Sequence, residues 1–141
     1  RVEGFATRGE WKRSYGQIND FETRLIDSGT TLVKLFIHVG QKEQDKRLRE
    51  RLDDPWKRWK TGLEDYRNRA KRAAYLEAMH EMFERTDTGV APWHVIDGNN
   101  KKAARIAALN VVADVLSDNV PMDPPVLDPE LARVAHEALD G

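Results

Sequence analysis

The chain has 141 residues, a length that suits one domain with a single hydrophobic core. Charged residues make up 33% of it, but the formal net charge is only -1, so the overall charge does not favour nucleic-acid binding. Cysteine is absent, which excludes disulfides and thiolate metal sites, and no apolar run approaches the roughly 20 residues that span a bilayer.

The first predicted element is an amphipathic helix. Thr7 and Glu10 have the spacing of a capping box, which marks where the helix begins. Gly29 is expected to end it. Apolar residues between these points recur at intervals of three or four and should face the core: Trp11, Tyr15, Ile18, Phe21 and Leu25.

Residues 32–39 (LVKLFIHV) form a short apolar run between Gly29 and Gly40. The pattern predicts a strand buried on both faces, as in a parallel sheet, with Lys34 and His38 as the exceptions. His38 stands at the carboxyl end, where ligands of open α/β sheets bind. It could contact a phosphate there, although a structural role is commoner for a single histidine.

A strongly basic stretch follows at residues 43–60 (EQDKRLRERLDDPWKRWK). It is predicted to be helical and to break at Asp54-Pro55, since the residue before a proline disfavours the helical conformation. One interpretation is a solvated helix with i,i+4 ion pairs such as Glu43 to Arg47. The other is a concave cationic surface, because the excess of cations continues past the break to Arg72.

A helix is expected over residues 63–85, with a core-facing stripe that contains Met79 and Phe83, and with His80 at the surface. Residues 90–96 (VAPWHVI) then predict a second strand. Pro92 cannot donate a ladder hydrogen bond, so it belongs at the start of that strand or on an edge.

Residues 97–100 (DGNN) supply a turn and a cap for a helix over residues 101–116. Its first turns carry Lys101, Lys102 and Arg105, an arrangement that opposes the helix dipole unless an anion is bound. The side chains predicted to face inward are Ile106, Leu109, Val112 and Leu116. We divide the chain into residues 1–118 and a proline-rich connector with a short terminal helix at 119–141.

Strands that alternate with helices predict an α/β protein with a parallel sheet. Two strands do not complete such a sheet, so further strands are expected upstream. Gly4 and Gly9 have the glycine spacing of a P-loop, but Glu10 stands where that motif requires lysine, and we reject the match.

Several motifs together resemble type-2 polyphosphate kinases. Among them are E-Q-x-x-R-L at residues 43–48, D-P-x-K-x-W-K at 54–60, and A-P-W at 91–93 followed by K-x-x-x-R at 101–105. The resemblance covers roughly residues 1–117. It implies the carboxy-terminal part of a P-loop kinase-like parallel sheet, with helices on both faces and a helical lid inserted at about residues 43–72.

The resemblance further implies phosphoryl transfer between inorganic polyphosphate and a nucleoside mono- or diphosphate (AMP, or ADP and GDP), with Mg²⁺. The magnesium ligands and the catalytic residues are expected outside this stretch, so these residues alone should not catalyse the reaction. The candidate phosphate-binding residues are Arg47, Arg51, Lys57, Lys60, Lys101 and Arg105. Asp54 would orient the lid cations, and we favour packing between lid and body over base stacking for Trp56 and Trp59.

The family pattern is not matched everywhere. Gly40-Gln41 replaces a small hydroxyl residue and a lysine, Arg72 replaces a tryptophan, and Gly98 replaces an alanine. Two other hypotheses stay open. One is a polyanion or single-stranded nucleic-acid binding module without catalysis, although the net charge of -1 does not favour a nucleic-acid partner. The other is a structural domain that associates through an exposed strand edge. We expect a cytoplasmic protein, capable of forming a homo-oligomer and without a membrane partner.

Overall fold

The computed structural model describes residues 1–118 and 120–139. Its helices and strands follow the predicted order, with one helix split in two. They are α1 (Arg8–Asp27), β1 (Lys34–His38), α2 (Gln41–Asp53), a 3-10 turn (Arg58–Lys60), α3 (Leu63–Ala70), α4 (Arg72–Thr86), β2 (Trp93–Asp97), α5 (Lys101–Ser117) and α6 (Pro129–Leu139). The beginning of the predicted connector at Asn119 and the last two residues of the chain lie outside the described residues.

The two strands pair in parallel, with Lys34 opposite Trp93 and His38 opposite Asp97. The α/β prediction is therefore confirmed. The connection from β1 to β2 contains α2, the 3-10 turn, α3 and α4, which is the long crossover that parallel pairing requires. Both strands end at the same edge of the sheet, just before Gly40 and Gly98.

An aromatic cluster joins the sheet to α4. Phe83 makes edge-to-face contacts with Phe36 of β1 and Trp93 of β2, with ring centroids 5.1 Å and 5.7 Å away. The indole nitrogen of Trp93 donates to the buried Thr86 hydroxyl at 3.0 Å. These contacts confirm that the stripe of α4 predicted from its spacing faces the sheet, although its side chains are partly rather than fully buried.

The capping box of α1 is confirmed. The backbone nitrogen of Thr7 donates to the Glu10 carboxylate at 2.7 Å, and the Thr7 hydroxyl accepts from the Glu10 backbone. The predicted apolar face is wrong at Ile18 and Phe21, which are exposed. The face that packs inward carries Asn19 and Glu22 instead, because Glu22 pairs with a buried lysine of β1 and Asn19 donates to a backbone carbonyl at the end of α4.

The single helix predicted over residues 63–85 is wrong. α3 ends at Ala70, and α4 begins at Arg72 after Lys71 leaves the ideal helical conformation (φ -95°, ψ 17°). Contacts on both sides of the break explain it. Arg69 of α3 reaches Asp45 and Arg72 of α4 reaches Gln44, so the segments on both sides of the break are attached to the same helix, α2.

β1 was predicted to be buried on both faces except at Lys34 and His38, and this prediction is wrong at Ile37 and at Lys34, which is the buried residue of the strand. Ile37 of β1 and Val95 of β2 are both exposed. In residues 1–118 and 120–139 the sheet has two strands, so each strand keeps one edge without a neighbouring strand. The open edges leave backbone groups unpaired, while Ile37 and Val95 are exposed because the described residues do not cover the faces of the sheet from which they project.

The prediction that Ile106, Leu109, Val112 and Leu116 of α5 face inward is wrong for all but Val112, which is partly buried. The buried residue of α5 is Ala104, and Ala108, Val111 and Val115 are partly buried. Small side chains at 104 and 108 let α5 approach β2 closely, which turns the larger side chains outward. Among the residues that the structure describes, no helix is both long and apolar enough to cross a membrane.

Candidate functional site

Cationic side chains gather where the two parallel strands end. A cavity of about 240 Å³ opens there, and its lining combines apolar side chains with cations: Ile37, Val39, Arg47, Gly98, Lys101, Ala104, Arg105 and Ala108. Ligands of open α/β sheets bind at this edge of the sheet. The structure therefore brings together Arg47, Lys101 and Arg105, three of the six residues predicted to bind phosphate.

Arg47 joins α2 to the loop that follows β2. Its Nε donates to the Glu43 carboxylate at 2.7 Å, and one terminal nitrogen donates to the backbone carbonyls of Gly98 and Asn99 at 2.8 Å and 3.0 Å. The pairing with Glu43 matches the i,i+4 interpretation of the sequence. Arg47 thus holds the loop in position as well as contributing charge to the cavity.

A second cavity, of about 210 Å³, lies on the other side of Arg47 and includes Arg51, Asp65 and Arg72 in its lining. One terminal nitrogen of Arg51 donates to the carbonyl of Lys60 at 3.2 Å and lies 3.6 Å from the Asp65 carboxylate. Arg51 therefore connects the cavity to the turn that follows α2.

Arg72 is a cavity residue that the sequence predictions missed. It donates to the Gln44 side chain at 2.7 Å and to the carbonyl of Val39, at the end of β1, at 2.8 Å. The only signal in the sequence was its place in the basic run. Its direction depends on the helix break at Lys71, which the spacing of apolar residues does not reveal.

A bidentate ion pair joins α2 to α3. Arg69 donates through Nε and Nη2 to the two carboxylate oxygens of Asp45, and the Nη2 contact measures 2.8 Å. The hydrogen bond from Arg69 lowers the pKa of Asp45. Because the two residues are 24 positions apart, no local pattern predicts their contact.

Asp54 organises the turn between α2 and α3. Its carboxylate accepts the backbone N–H of Trp56 at 3.0 Å and lies 2.9 Å from the ammonium of Lys57. The bond from Lys57, followed by that from the Trp56 backbone, lowers the pKa of Asp54, and the same contact raises the pKa of Lys57. This geometry suits a residue that orients a lid, a role that stays a prediction.

Lys57 and Lys60 do not line either basic cavity. Lys57 faces Asp54, and the ammonium of Lys60 lies 5.1 Å from the ring centroid of Trp59. The six predicted phosphate-binding residues thus divide into four at the cavities and two on the turn.

Trp56 and Trp59 are 87% and 79% exposed. The sequence favoured an interpretation in which these indoles pack between lid and body. Such packing is not found in residues 1–118 and 120–139. His38 is partly buried, stacks on Phe36 at 6.3 Å and lines a separate, largely apolar cavity beside α4. A phosphate contact for His38 stays untested.

The start of α5 is built as a capped helix. The side chain of Asn100 accepts the backbone N–H groups of Lys102 and Ala103 at 3.0 Å and 3.2 Å, which confirms the predicted cap. The first turn of α5 holds no acidic residue. Lys101 and Arg105 are exposed, and their positive charges oppose the helix dipole. An anion bound here would be stabilised by the two cations and by the dipole.

Magnesium was predicted, with ligands outside this stretch. Across the residues that the structure describes, no group of three or more His, Asp or Glu side chains is placed to hold a metal ion. The described residues by themselves do not fit a complete magnesium site, and the magnesium prediction stays untested.

Comparison with known proteins gives a consistent result. The family model described as Polyphosphate kinase 2 (PPK2) matches residues 1–124. A polyphosphate:AMP phosphotransferase of Acinetobacter johnsonii is 46% identical over 112 residues, which are 79% of this chain and 24% of that protein. An AMP/ADP-polyphosphate phosphotransferase of Meiothermus ruber is 41% identical over 99 residues, 70% of this chain and 37% of that protein.

The crystal structure of Polyphosphate Kinase 2 from Arthrobacter aurescens TC1 superposes with a TM-score of 0.82 at 40% identity, over 98% of this chain and 49% of that one. A putative polyphosphate kinase 2 from Pseudomonas aeruginosa gives a TM-score of 0.81 at 38% identity, over 88% of this chain and 27% of that one. The chain therefore spans half or less of the length of these relatives.

Proposed function

The chain belongs to the polyphosphate kinase 2 family, and from that premise we propose that the protein transfers phosphoryl groups between inorganic polyphosphate and a nucleoside mono- or diphosphate. The residues described above supply the basic surface that binds the phosphates. The P-loop kinase fold and the lid at about residues 43–72 belong to the same proposal.

The observation that carries the proposal is the convergence of cations on the carboxyl edge of the parallel strands. Five of them line two adjoining cavities: Arg47, Arg51, Arg72, Lys101 and Arg105. Phosphoryl transfer depends mainly on positioning and on neutralising charge. Polyphosphate carries about one negative charge per unit, and arginine and lysine side chains are its natural partners.

We assign different tasks to these cations. Lys101 and Arg105 are exposed at the start of α5, and they bind phosphate oxygens directly. Arg51 is tied to the turn through the carbonyl of Lys60, so it couples phosphate binding to the position of the turn. Lys57 and Lys60 would approach the phosphates when the turn moves toward the cavities, with Asp54 orienting Lys57.

Magnesium bound with the phosphates would neutralise charge on their oxygens. We assign none of its ligands to the described residues. The relatives described above are named for AMP or for AMP and ADP, and we propose that one or both of these nucleotides serve as the acceptor here.

The test is a polyphosphate-dependent phosphorylation assay on the full-length protein, with AMP and ADP as separate acceptors and the products separated by anion-exchange chromatography. We expect ADP or ATP to form only when polyphosphate is present. Absence of product with both acceptors, in a sample that circular dichroism reports as folded, would reject the proposal.

A second candidate function is the binding of polyanions or single-stranded nucleic acid without catalysis. The exposed indoles of Trp56 and Trp59 favour it, because bases stack on such side chains. Filter binding of single-stranded DNA and polyphosphate at matched charge separates the two candidates. Tighter binding of DNA, together with no turnover, would favour the second.

A further inference from the structure

Two large aromatic side chains stand in solvent on a single turn. Trp56 and Trp59 are 87% and 79% exposed, although each indole could remove some 150–250 Å² from water if it packed. Isolated apolar side chains are common on surfaces, but two tryptophans three residues apart are a concentrated aromatic surface. Within the described residues, both indoles are accessible to a ligand that has a flat apolar face.

Hydrogen bonds hold the backbone of the turn that carries these indoles. Asp54 accepts the backbone N–H of Trp56 at 3.0 Å, and the backbone N–H of Lys60 donates to the carbonyl of Lys57 at 2.9 Å. The side chain of Arg58 donates to the carbonyl of Leu52 at 2.9 Å. Because these bonds restrain the backbone, a ligand that binds here has to order mainly the two indole side chains.

The charges around the indoles indicate the chemistry of that ligand. The ammonium of Lys60 lies 5.1 Å from the ring centroid of Trp59, and Lys57 follows directly after Trp56. Behind the turn, Arg51 donates to the carbonyl of Lys60 and also lines a basic cavity. A ligand that joins a flat aromatic group to phosphates matches this arrangement. The aromatic group would meet the indoles, and the phosphates would meet the ammonium groups and the guanidinium.

We propose that Trp56 and Trp59 form a stacking site for the base of the acceptor nucleotide, whose phosphates face Arg51. This inference rests on the proposed function and deepens it, because it assigns the nucleoside part of the substrate to the turn and the phosphates to the cavities. Stacking discriminates little between bases because every base has a π face, so the site would accept more than one base.

Equilibrium binding to the full-length protein tests the site without turnover. The ligands are AMP, ADP and base-free tripolyphosphate, measured by isothermal titration calorimetry on the wild type, the W56A/W59A variant and the W56F/W59F variant. We expect W56A/W59A to weaken nucleotide binding about 5- to 150-fold while the affinity for tripolyphosphate stays the same. W56F/W59F should retain most of the nucleotide affinity, because phenylalanine keeps an aromatic face.

Leu63→Ala is the matched control, since Leu63 is 76% exposed at the start of α3 and has no aromatic face. An equal loss in this variant would overturn the proposal in favour of a general apolar contact. Unchanged nucleotide affinity in W56A/W59A, or an equal loss for tripolyphosphate, would also overturn it. The proposal would also be overturned if the only change in W56A/W59A were a loss of co-sedimentation with anionic phospholipid vesicles.

The phosphorylation assay on the same wild-type sample keeps the two proposals apart. Turnover by the wild type with unchanged nucleotide affinity in W56A/W59A would remove the stacking site and leave the proposed function intact. A wild type that binds neither nucleotide and shows no turnover would reject both.

Discussion

Lys34 of β1 forms a buried ion pair with Glu22 of α1, at 2.8 Å between Nζ and the carboxylate. The same ammonium donates to the carbonyl of Thr86 at the end of α4 and lies 5.0 Å from the ring centroid of Trp93. One side chain thus joins the first helix, the first strand and the end of α4. A lysine can be buried at the start of β1 because its ammonium contacts a carboxylate, a backbone carbonyl and an aromatic ring.

We expect Lys34→Met to lower the free energy of unfolding by about 3–5 kcal/mol, because it leaves the Glu22 carboxylate buried without a partner. The double variant K34M/E22M should recover at least half of that loss, since it removes both charges together. Urea denaturation followed by circular dichroism measures both.

The exposed pair between Lys46 and Glu50, 3.9 Å apart, provides the control for this prediction. Lys46→Met should change the free energy of unfolding by about 0.5 kcal/mol or less, because solvent screens an exposed i,i+4 pair. Equal effects of K34M and K46M would contradict the role assigned to the buried pair.

A second prediction concerns the close approach of the two strand ends. A Cβ at Gly98 would lie 2.9 Å from methyl groups of Ile37 and Val39 and 3.0 Å from the carbonyl of His38. We expect Gly98→Ala to cost about 1–3 kcal/mol of unfolding free energy, because backbone as well as side chains must move. It should also displace the loop that Arg47 holds, and thermal denaturation measures the loss.

Gly16→Ala is the comparison for that variant. Gly16 lies inside α1, and a Cβ there would meet nothing within 4 Å. The substitution should stabilise the protein by about 0.5–1 kcal/mol, because alanine loses less backbone entropy in a helix. A neutral G98A beside a stabilising G16A would mean that the loop adjusts without strain.

The third prediction is a pH dependence of the turn. The pKa of Asp54 is lowered by the Lys57 ammonium and the Trp56 backbone, so ionised Asp54 favours the folded state. This contribution is complete above the pKa of about 3.9 that aspartate has in an unfolded chain, and it is lost as the pH falls through the lower folded-state value. Asp54→Asn should therefore destabilise the protein by a constant amount above about pH 5.

Below about pH 4 the difference between the wild type and D54N should shrink toward zero. Urea midpoints measured from pH 3 to pH 7 test this. Asp53→Asn serves as the control, because Asp53 ends α2, where a negative charge opposes the helix dipole. D53N should be neutral or slightly stabilising at pH 7, and a loss equal to that of D54N would contradict the assignment.

Local patterns were sufficient to predict most of the fold. The capping box, the glycines, the Asp-Pro break and the apolar runs each act within a few residues, and the elements that they predict are present, except that the helix over residues 63–85 is divided at Lys71. Predictions that required the direction of a helix face failed more often. In α1 the apolar side chains favoured Ile18 and Phe21, but the buried lysine of β1 requires the face that carries Glu22.

The sequence was sufficient to predict which kinds of residue form the site, but not how they are arranged. The basic run and the cations at the start of α5 identified the phosphate-binding candidates. Their grouping depends on contacts between distant positions, such as Arg72 with Val39 and Asp45 with Arg69, and on the break at Lys71. Exposure of Trp56 and Trp59 could not be predicted either, because burial of a side chain on a turn depends on what the rest of the fold places over it.

The last prediction separates direct phosphate contacts from general positive charge. Lys101 and Arg105 line the cavity at the strand ends, whereas the neighbouring Lys102 does not. All three carry the same charge on the same helix, so a diffuse electrostatic attraction would make their removal equivalent.

Lys101→Ala and Arg105→Ala should each weaken polyphosphate binding by about 10-fold or more, since each removes a charge-assisted hydrogen bond. Each should also reduce the slope of log affinity against log salt by about one, as expected for one lost phosphate contact. Lys102→Ala should leave both quantities nearly unchanged. Calorimetric titrations with polyphosphate of defined length at 50 mM and 200 mM salt would measure them, and equal losses in all three variants would show that the cavity does not select its ligand by contact.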